Sequence, residues 1–119
     1  MKRRHRDKDT LADAILSVAT DVLLVIDGHS GHIERANPTA YEVFATDSLV
    51  GQHINMLMPD GSRALHDTER AAFMLRPEAR PMGPHRRVLA QRPSGPFEIE
   101  AGLMPLDRGR VLFIARPVA

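Results

Sequence analysis

Hydrophobic and polar positions change period several times along this 119-residue chain, and each change marks an element. Leu11, Ala14, Ile15 and Val18 recur at helical spacing behind Thr10, a candidate cap, and predict a short amphipathic helix. Such a helix at the edge of a domain is a lid on the core or a seam between two copies. Asp21–Asp27 is an almost wholly apolar run rich in β-branched residues. Asp27-Gly28-His29-Ser30-Gly31 ends it with a turn signal, and His32–Ala36 follows as a second strand, so a β-hairpin is predicted. Asn37-Pro38 then predicts a helix start, with Asn37 as N-cap, Pro38 at the first helical position and Ala40, Tyr41, Val43 and Phe44 on the buried side.

Gly51 breaks the chain, and Ile54–Met58 makes a further short helical turn that Pro59 closes. Ser62–Leu75 is the longest helical pattern, with Ala64, Leu65, Thr68, Ala71, Ala72 and Leu75 on one face. Arg76–Pro84 holds three prolines and a glycine and reads as a loop. Arg86–Gln91, Phe97–Met104 and Arg110–Arg116 are the remaining strands, separated by turns at Pro93–Pro96 and Asp107–Gly109. Connections this short exclude parallel crossovers, so the sheet is expected to be antiparallel.

Composition narrows the class. The length suits one domain with a self-sufficient core. The absence of cysteine excludes disulfides, thiolate metal sites and a cysteine nucleophile. No apolar run approaches the roughly 20 residues of a membrane span, and the charged start does not resemble a signal peptide. The expectation is a charged flexible tail over residues 1–9 and a single domain over 10–119, located in the cytoplasm. The formal net charge of +1 conceals zones: +3 over residues 1–9, −6 over 10–62, +4 over 63–92 and zero over 93–119. The basic tail lacks aromatic or apolar company and precedes an acidic stretch, so neither a nucleic acid nor a membrane is expected as partner.

Asp21–Asp27, Gly28–Gly31, Ala36-Asn37-Pro38 with Ala40 and Phe44, Val50-Gly51-Gln52, Met56–Pro59, Pro81-Met82-Gly83, and Phe97–Glu100 followed by Leu103 and Pro105 stand in a telling order. In that order and at nearly that spacing they resemble a PAS domain, from about Leu11 to Ala115. The resemblance implies an α+β fold: a five-stranded antiparallel sheet with short helices packed on one face. It also implies a non-enzymatic sensory module that detects a ligand, light or redox state, or simply dimerises. The result passes to an effector, such as the histidine kinase of a two-component system.

Within the family, Leu57–Asp60 through His66-Asp67 to Met82-Gly83 and Arg86 is similar to the haem-binding PAS domain of rhizobial oxygen-sensing histidine kinases. By position, that likeness implies His66 as axial ligand to haem iron and Arg86 as the distal arginine that meets bound oxygen or a propionate. Phe73, Met82 and Leu103 complete the candidate pocket, for haem or for a small ligand. A neutral imidazole suits iron, and a guanidinium suits an oxygen ligand. Glu69 and Arg70 depart from the pattern, standing where the oxygen sensors present apolar or aromatic side chains, and Ala101 is small where one apolar distal position falls.

The leading expectation is therefore a small-ligand pocket of unspecified ligand, with His66 a solvated or hydrogen-bonded helix histidine. A haem-based oxygen or redox sensor is one alternative. A ligand-free dimerisation module, seamed by Leu11, Ile15 and Val18 into a homodimer, is the other. A flavin held without a covalent bond finds no aromatic cage, and flavin–thiol photochemistry lacks its cysteine. His29 and His32 beside Asp27 read as a polar hairpin tip before a metal site, and His53 and His85 lack partners at metal-ligand spacing. Met56, Met58, Met74, Met82 and Met104 are expected to fill the core and pocket wall. The arginines between Arg63 and Arg92 are the candidates for an anionic ligand group.

Overall fold

Val22–Asp27 (β1) and Ile33–Ala36 (β2) form the predicted hairpin in a computed structural model that describes residues 11, 13–83 and 86–118. The expected tail, Thr10 and His85 thus lie outside the described residues. Asp27 closes the hairpin turn by accepting the backbone N–H groups of His29 (2.9 Å) and Ser30 (3.0 Å) through Oδ1. These bonds, from Ser30 first and then His29, hold the Asp27 carboxyl below the usual carboxylate range. Gly31 leaves the turn at φ 80°, and a Cβ there would lie 2.6 Å from His53 Nε2. Only glycine satisfies both demands.

A short helical segment over residues 13–18 (α1) precedes the hairpin, and Pro38–Phe44 (α2) follows it. Asn37 caps α2 as expected, and it also clips that helix to the sheet. Its fully buried side chain accepts from the N–H groups of Leu23 (2.9 Å) and Ala40 (3.1 Å) and donates to the Asp21 carbonyl (2.8 Å). A 3-10 turn, Ile54–Leu57, leads to the long helix Arg63–Leu75 (α3). The last three strands are Arg87–Arg92 (β3), Gly95–Pro105 (β4) and Arg110–Pro117 (β5). All pairings are antiparallel, in the order β2-β1-β5-β4-β3, which is the sheet that the PAS resemblance implies.

One face of this sheet makes the core. Val22, Leu24 and Ile26 alternate inward on β1, Val111, Phe113 and Ala115 on β5, and all six are buried together with Ala90 and Ile99. Ala40 and Phe44 from α2, Leu57 from the 3-10 turn and Phe73 from α3 cover them from the same side. The hydrophobic effect supplies this two-layer arrangement, because neither the helices nor the sheet can hide an apolar face alone.

Three expectations change. The face of α3 with Ala64, Leu65, Thr68, Ala71, Ala72 and Leu75 points to solvent, with Leu65 61% and Leu75 83% exposed; Phe73 is the helix's buried residue. Arg86 sits in a tight turn before β3, its N–H donating to the Gly83 carbonyl (2.9 Å), and is not part of the strand. Met104 lies on the outer face of β4 and is exposed, so it fills neither core nor pocket.

Candidate functional site

Phe73, the one buried residue of α3, orients the helix, and hydrogen bonds on the same side of it hold that rotation. Arg63 Nε donates to the Met58 carbonyl (3.1 Å) one turn before the helix proper. One turn later Asn55 Nδ2 donates to Asp67 Oδ1 (2.8 Å), and Arg70 Nη1 donates to the same oxygen (3.0 Å). These anchors recur at helical spacing and share a side with Phe73, so the side between them faces the sheet. The bond from Asn55, followed by that from Arg70, holds the Asp67 carboxyl below the usual carboxylate range. Asn55 Oδ1 is itself buried and has no hydrogen-bond partner among the described residues.

Between α3 and the sheet lies a cavity of about 320 Å³. Ile26 of β1, Val88 of β3, Ala101, Gly102 and Leu103 of β4, and Val111 and Phe113 of β5 form its floor. Ile54, Asn55 and Met58 make one wall, and His66, Glu69, Arg70 and Phe73 of α3 make the roof. Arg80, Arg86 and Arg87 stand at the mouth. The interior is mostly apolar, while its charged groups are four arginines and one glutamate.

Of the residues expected to form a pocket, His66, Phe73, Leu103 and Arg86 do line this cavity, and Met82 does not. Met82 lies in the segment that crosses β4 where Gly102 leaves room: a Cβ on Gly102 would meet Met82 N at 2.6 Å and the Arg80 carbonyl oxygen at 2.8 Å. His66 Nδ1 lies 3.8 Å from Glu69 Oε1, beyond hydrogen-bond reach. Leu11, Ile15 and Val18 are 65%, 56% and 77% exposed and gather no pocket. Among the described residues no group of three or more His, Asp or Glu side chains could hold a metal ion.

Arg80 is one of the arginines between Arg63 and Arg92 expected to meet an anionic group, but the sequence does not single it out among them. It sits in a proline-rich loop where no periodicity marks a position as special. Tertiary bonds place it: its N–H donates to the Leu103 carbonyl (2.7 Å) and its carbonyl accepts from Leu103 N–H (2.8 Å). Its guanidinium lies 5.2 Å above the centre of the Phe73 ring. The coupled pair Asn55 and Asp67 was equally illegible, since only the Asp67–Arg70 spacing of three carried a signal.

Next to the cavity, His53 joins the hairpin to the wall. Its Nδ1 accepts from the Asn55 N–H (3.0 Å), and its ring meets that of His32 edge-on at 5.3 Å. Burial, then the positive charge of Arg70, lowers its pKa and favours the neutral ring.

Haem fits the residues present only in part. His66 supplies an axial nitrogen, but Glu69 and Arg70 share the cavity roof with it. Arg70 is paired with Asp67 and Glu69 would set a carboxylate against the porphyrin, a costly neighbour, whereas Arg80 and Arg86 would suit its propionates.

No family model matches the chain. It is 31% identical over 104 residues to the sensor protein FixL of Bradyrhizobium diazoefficiens, a match covering 83% of this chain and 20% of that protein. The chain thus spans about a fifth of the length of this curated relative. Among solved structures, it superposes on the PAS domain of an HTR-like protein from Haloarcula marismortui with a TM-score of 0.73 at 19% identity, covering 98% and 97% of the two chains. A sensory-box histidine kinase/response regulator domain from Geobacter sulfurreducens gives 0.73 at 19% identity, covering 92% and 93%. The PAS domain of the quorum-sensing receptor RpfR from Cronobacter turicensis, in complex with BDSF, gives 0.70 at 14% identity, covering 87% and 98%. With the antiparallel order β2-β1-β5-β4-β3 and the helices on one face of it, these likenesses identify the chain as a PAS domain, a sensory domain related in sequence to that of a sensor kinase.

Proposed function

We propose that this PAS domain detects a small molecule in the cavity beneath α3 and passes its occupancy through the sheet to an effector, a histidine kinase of a cytoplasmic two-component system. The cavity itself carries this reading. Its volume, about 320 Å³, is within the range of small-molecule sites, and it has an apolar interior with a few convergent charges. The RpfR domain, of similar fold, is solved with a small molecule, BDSF. The floor includes residues of β1, β3, β4 and β5, so a ligand would press on four of the five strands. Sub-ångström shifts of close-packed strands are the means by which occupancy would reach an effector.

Filling the cavity tests the proposal. Ala101→Phe should keep the fold yet abolish the rise in Tm that a bound small molecule produces in the wild type. A ligand at a hundred times its Kd stabilises by about 2.7 kcal/mol, a shift readily measured. A ligand that raises both melting temperatures equally would refute the cavity as its site. A Soret band in the purified protein, lost in His66→Ala, would replace this reading with haem sensing.

The same reading has two copies meeting through α1, where Ile15 and Val18 are exposed on the helix and Leu11 is exposed just before it. Light scattering on Leu11→Glu/Ile15→Glu should show half the wild-type mass, and an unchanged mass would count against this seam.

A further inference from the structure

The charges at the cavity are lopsided, and we propose that its ligand is a small organic oxyanion with an apolar body, whose head group is held by Arg80. This inference rests on the reading of the cavity as a ligand site. Four arginines and a single glutamate line it, so an anion gains and a cation loses on entering. The four are not equivalent. Arg70 is already bonded to Asp67 at 3.0 Å, and Arg87 faces Glu100 at 3.6 Å. Arg80 and Arg86 meet no carboxylate within ion-pair distance among the described residues.

Arg80 differs from Arg86 in being held in place. The paired backbone bonds to Leu103 fix its main chain, and Gly102 permits that close crossing. Its head group lies over the Phe73 ring, 5.2 Å from the centre, a cation–π contact that favours this position. At that distance the cation lies near the ring without spending its N–H donors on any carboxylate among the described residues, so they are available to grip a carboxylate or phosphate with two parallel hydrogen bonds. Phe73 is buried and lines the same cavity, so an anion gripped there has its apolar body beside Phe73 and the sheet floor. Less side-chain entropy is lost on binding when the arginine is already held, which favours Arg80 over an unanchored arginine.

Four eight-carbon probes test this with the full chain at pH 7.5: octanoate, octyl phosphate, octan-1-ol and octylammonium. Titration calorimetry gives each affinity, and the methyl NMR signals of Met58 and Leu103 report whether a probe enters the cavity. At least one anion should bind tenfold or more tighter than octan-1-ol; which anion wins distinguishes a carboxylate from a phosphate ligand. Arg80→Met keeps an apolar stem over Phe73 and removes the charge. It should lower anion affinity to that of octan-1-ol and leave octan-1-ol unchanged, which also shows that the variant is folded. Arg80→Lys should restore part of the loss. If octan-1-ol or octylammonium binds as tightly as the anions, or if Arg80→Met leaves anion binding unchanged, the proposal falls and the cavity remains a site for another ligand class. If no probe shifts the Met58 or Leu103 methyls, both readings fall.

Discussion

Removing the Asn37 side chain puts a number on how the helical layer is fastened to the sheet. Three hydrogen bonds end on that side chain, at full burial. In Asn37→Ala, the Ala40 N–H keeps a second acceptor, the Asn37 carbonyl at 3.0 Å, so the loss there is that of an ordinary cap, about 1 kcal/mol. The Leu23 N–H is different, because it is buried and its acceptor at 2.9 Å disappears; an orphaned buried donor costs about 1–3 kcal/mol. The Asp21 carbonyl lies nearer solvent and adds little. The expected destabilisation is therefore roughly 2–4 kcal/mol.

Asn37→Asp is the sharper control. At an exposed N-cap the two residues are equivalent. Here Asp keeps the acceptor contacts but turns a carboxylate oxygen toward the Asp21 carbonyl in place of the Nδ2 donor, and should cost at least about 1 kcal/mol. Urea unfolding followed by far-UV circular dichroism is the assay, since the chain has no tryptophan and one tyrosine. The midpoint should fall with the m-value unchanged. Asn37→Ala within about 0.5 kcal/mol of wild type, or Asn37→Asp equal to wild type, would refute the clip.

Other substitutions probe the remaining inferences. On α3, Leu65→Glu and Leu75→Glu should each change stability by less than about 0.5 kcal/mol, whereas Phe73→Ala should cost about 3–5 kcal/mol; urea midpoints in the reverse order would mean the helix is rotated. Gly102→Ala, which in an ordinary strand would favour folding, should instead destabilise by about 1–3 kcal/mol through overpacking against Met82 N and the Arg80 carbonyl. Faster amide exchange at Leu103 would accompany it, and unchanged exchange would argue against the crossing. His53 binds its proton less readily in the folded state than in the unfolded chain, so its contribution to stability is complete above about pH 6.5 and declines as pH falls below that. His32, Arg70 and Asp67 are the charged or titratable groups around it. His53→Asn retains a capping oxygen, and should flatten the stability profile between pH 7.5 and 5.5; an equally steep profile would assign the slope elsewhere. Asp27 and Asp67, whose pKa values are lowered, act in a separate window, adding stability above about pH 3.8 that is lost as pH falls further.

Much of the fold was readable because short-range chemistry specifies it. Asp27 through Gly31 is a turn in any context, Asn37-Pro38 starts a helix, and strands joined by four or fewer residues pair antiparallel. Pocket residues were less readable. His66, Phe73, Leu103 and Arg86 came from a positional likeness and do reach the cavity, while Met82, one step further along the same loop, is held over Gly102 instead. Arg80 was one of several candidate arginines, and nothing local set it apart, because its position depends on a backbone pairing with a residue 23 positions later.

The sequence by itself determined the sheet, the hairpin, the cap at Asn37 and the family, since each rests on neighbours in the chain or on an ordered series of local motifs. It also determined that residues 63–75 form a helix. Which way that helix faces was decided only in three dimensions. Most of the apolar stripe is alanine, which hides little area, and only its two leucines would gain much by burial. Burial of Phe73 on the other side, with bonds from Asn55 to Asp67 and from Arg63 to Met58 beside it, turns the stripe outward and leaves a charged roof over an open cavity.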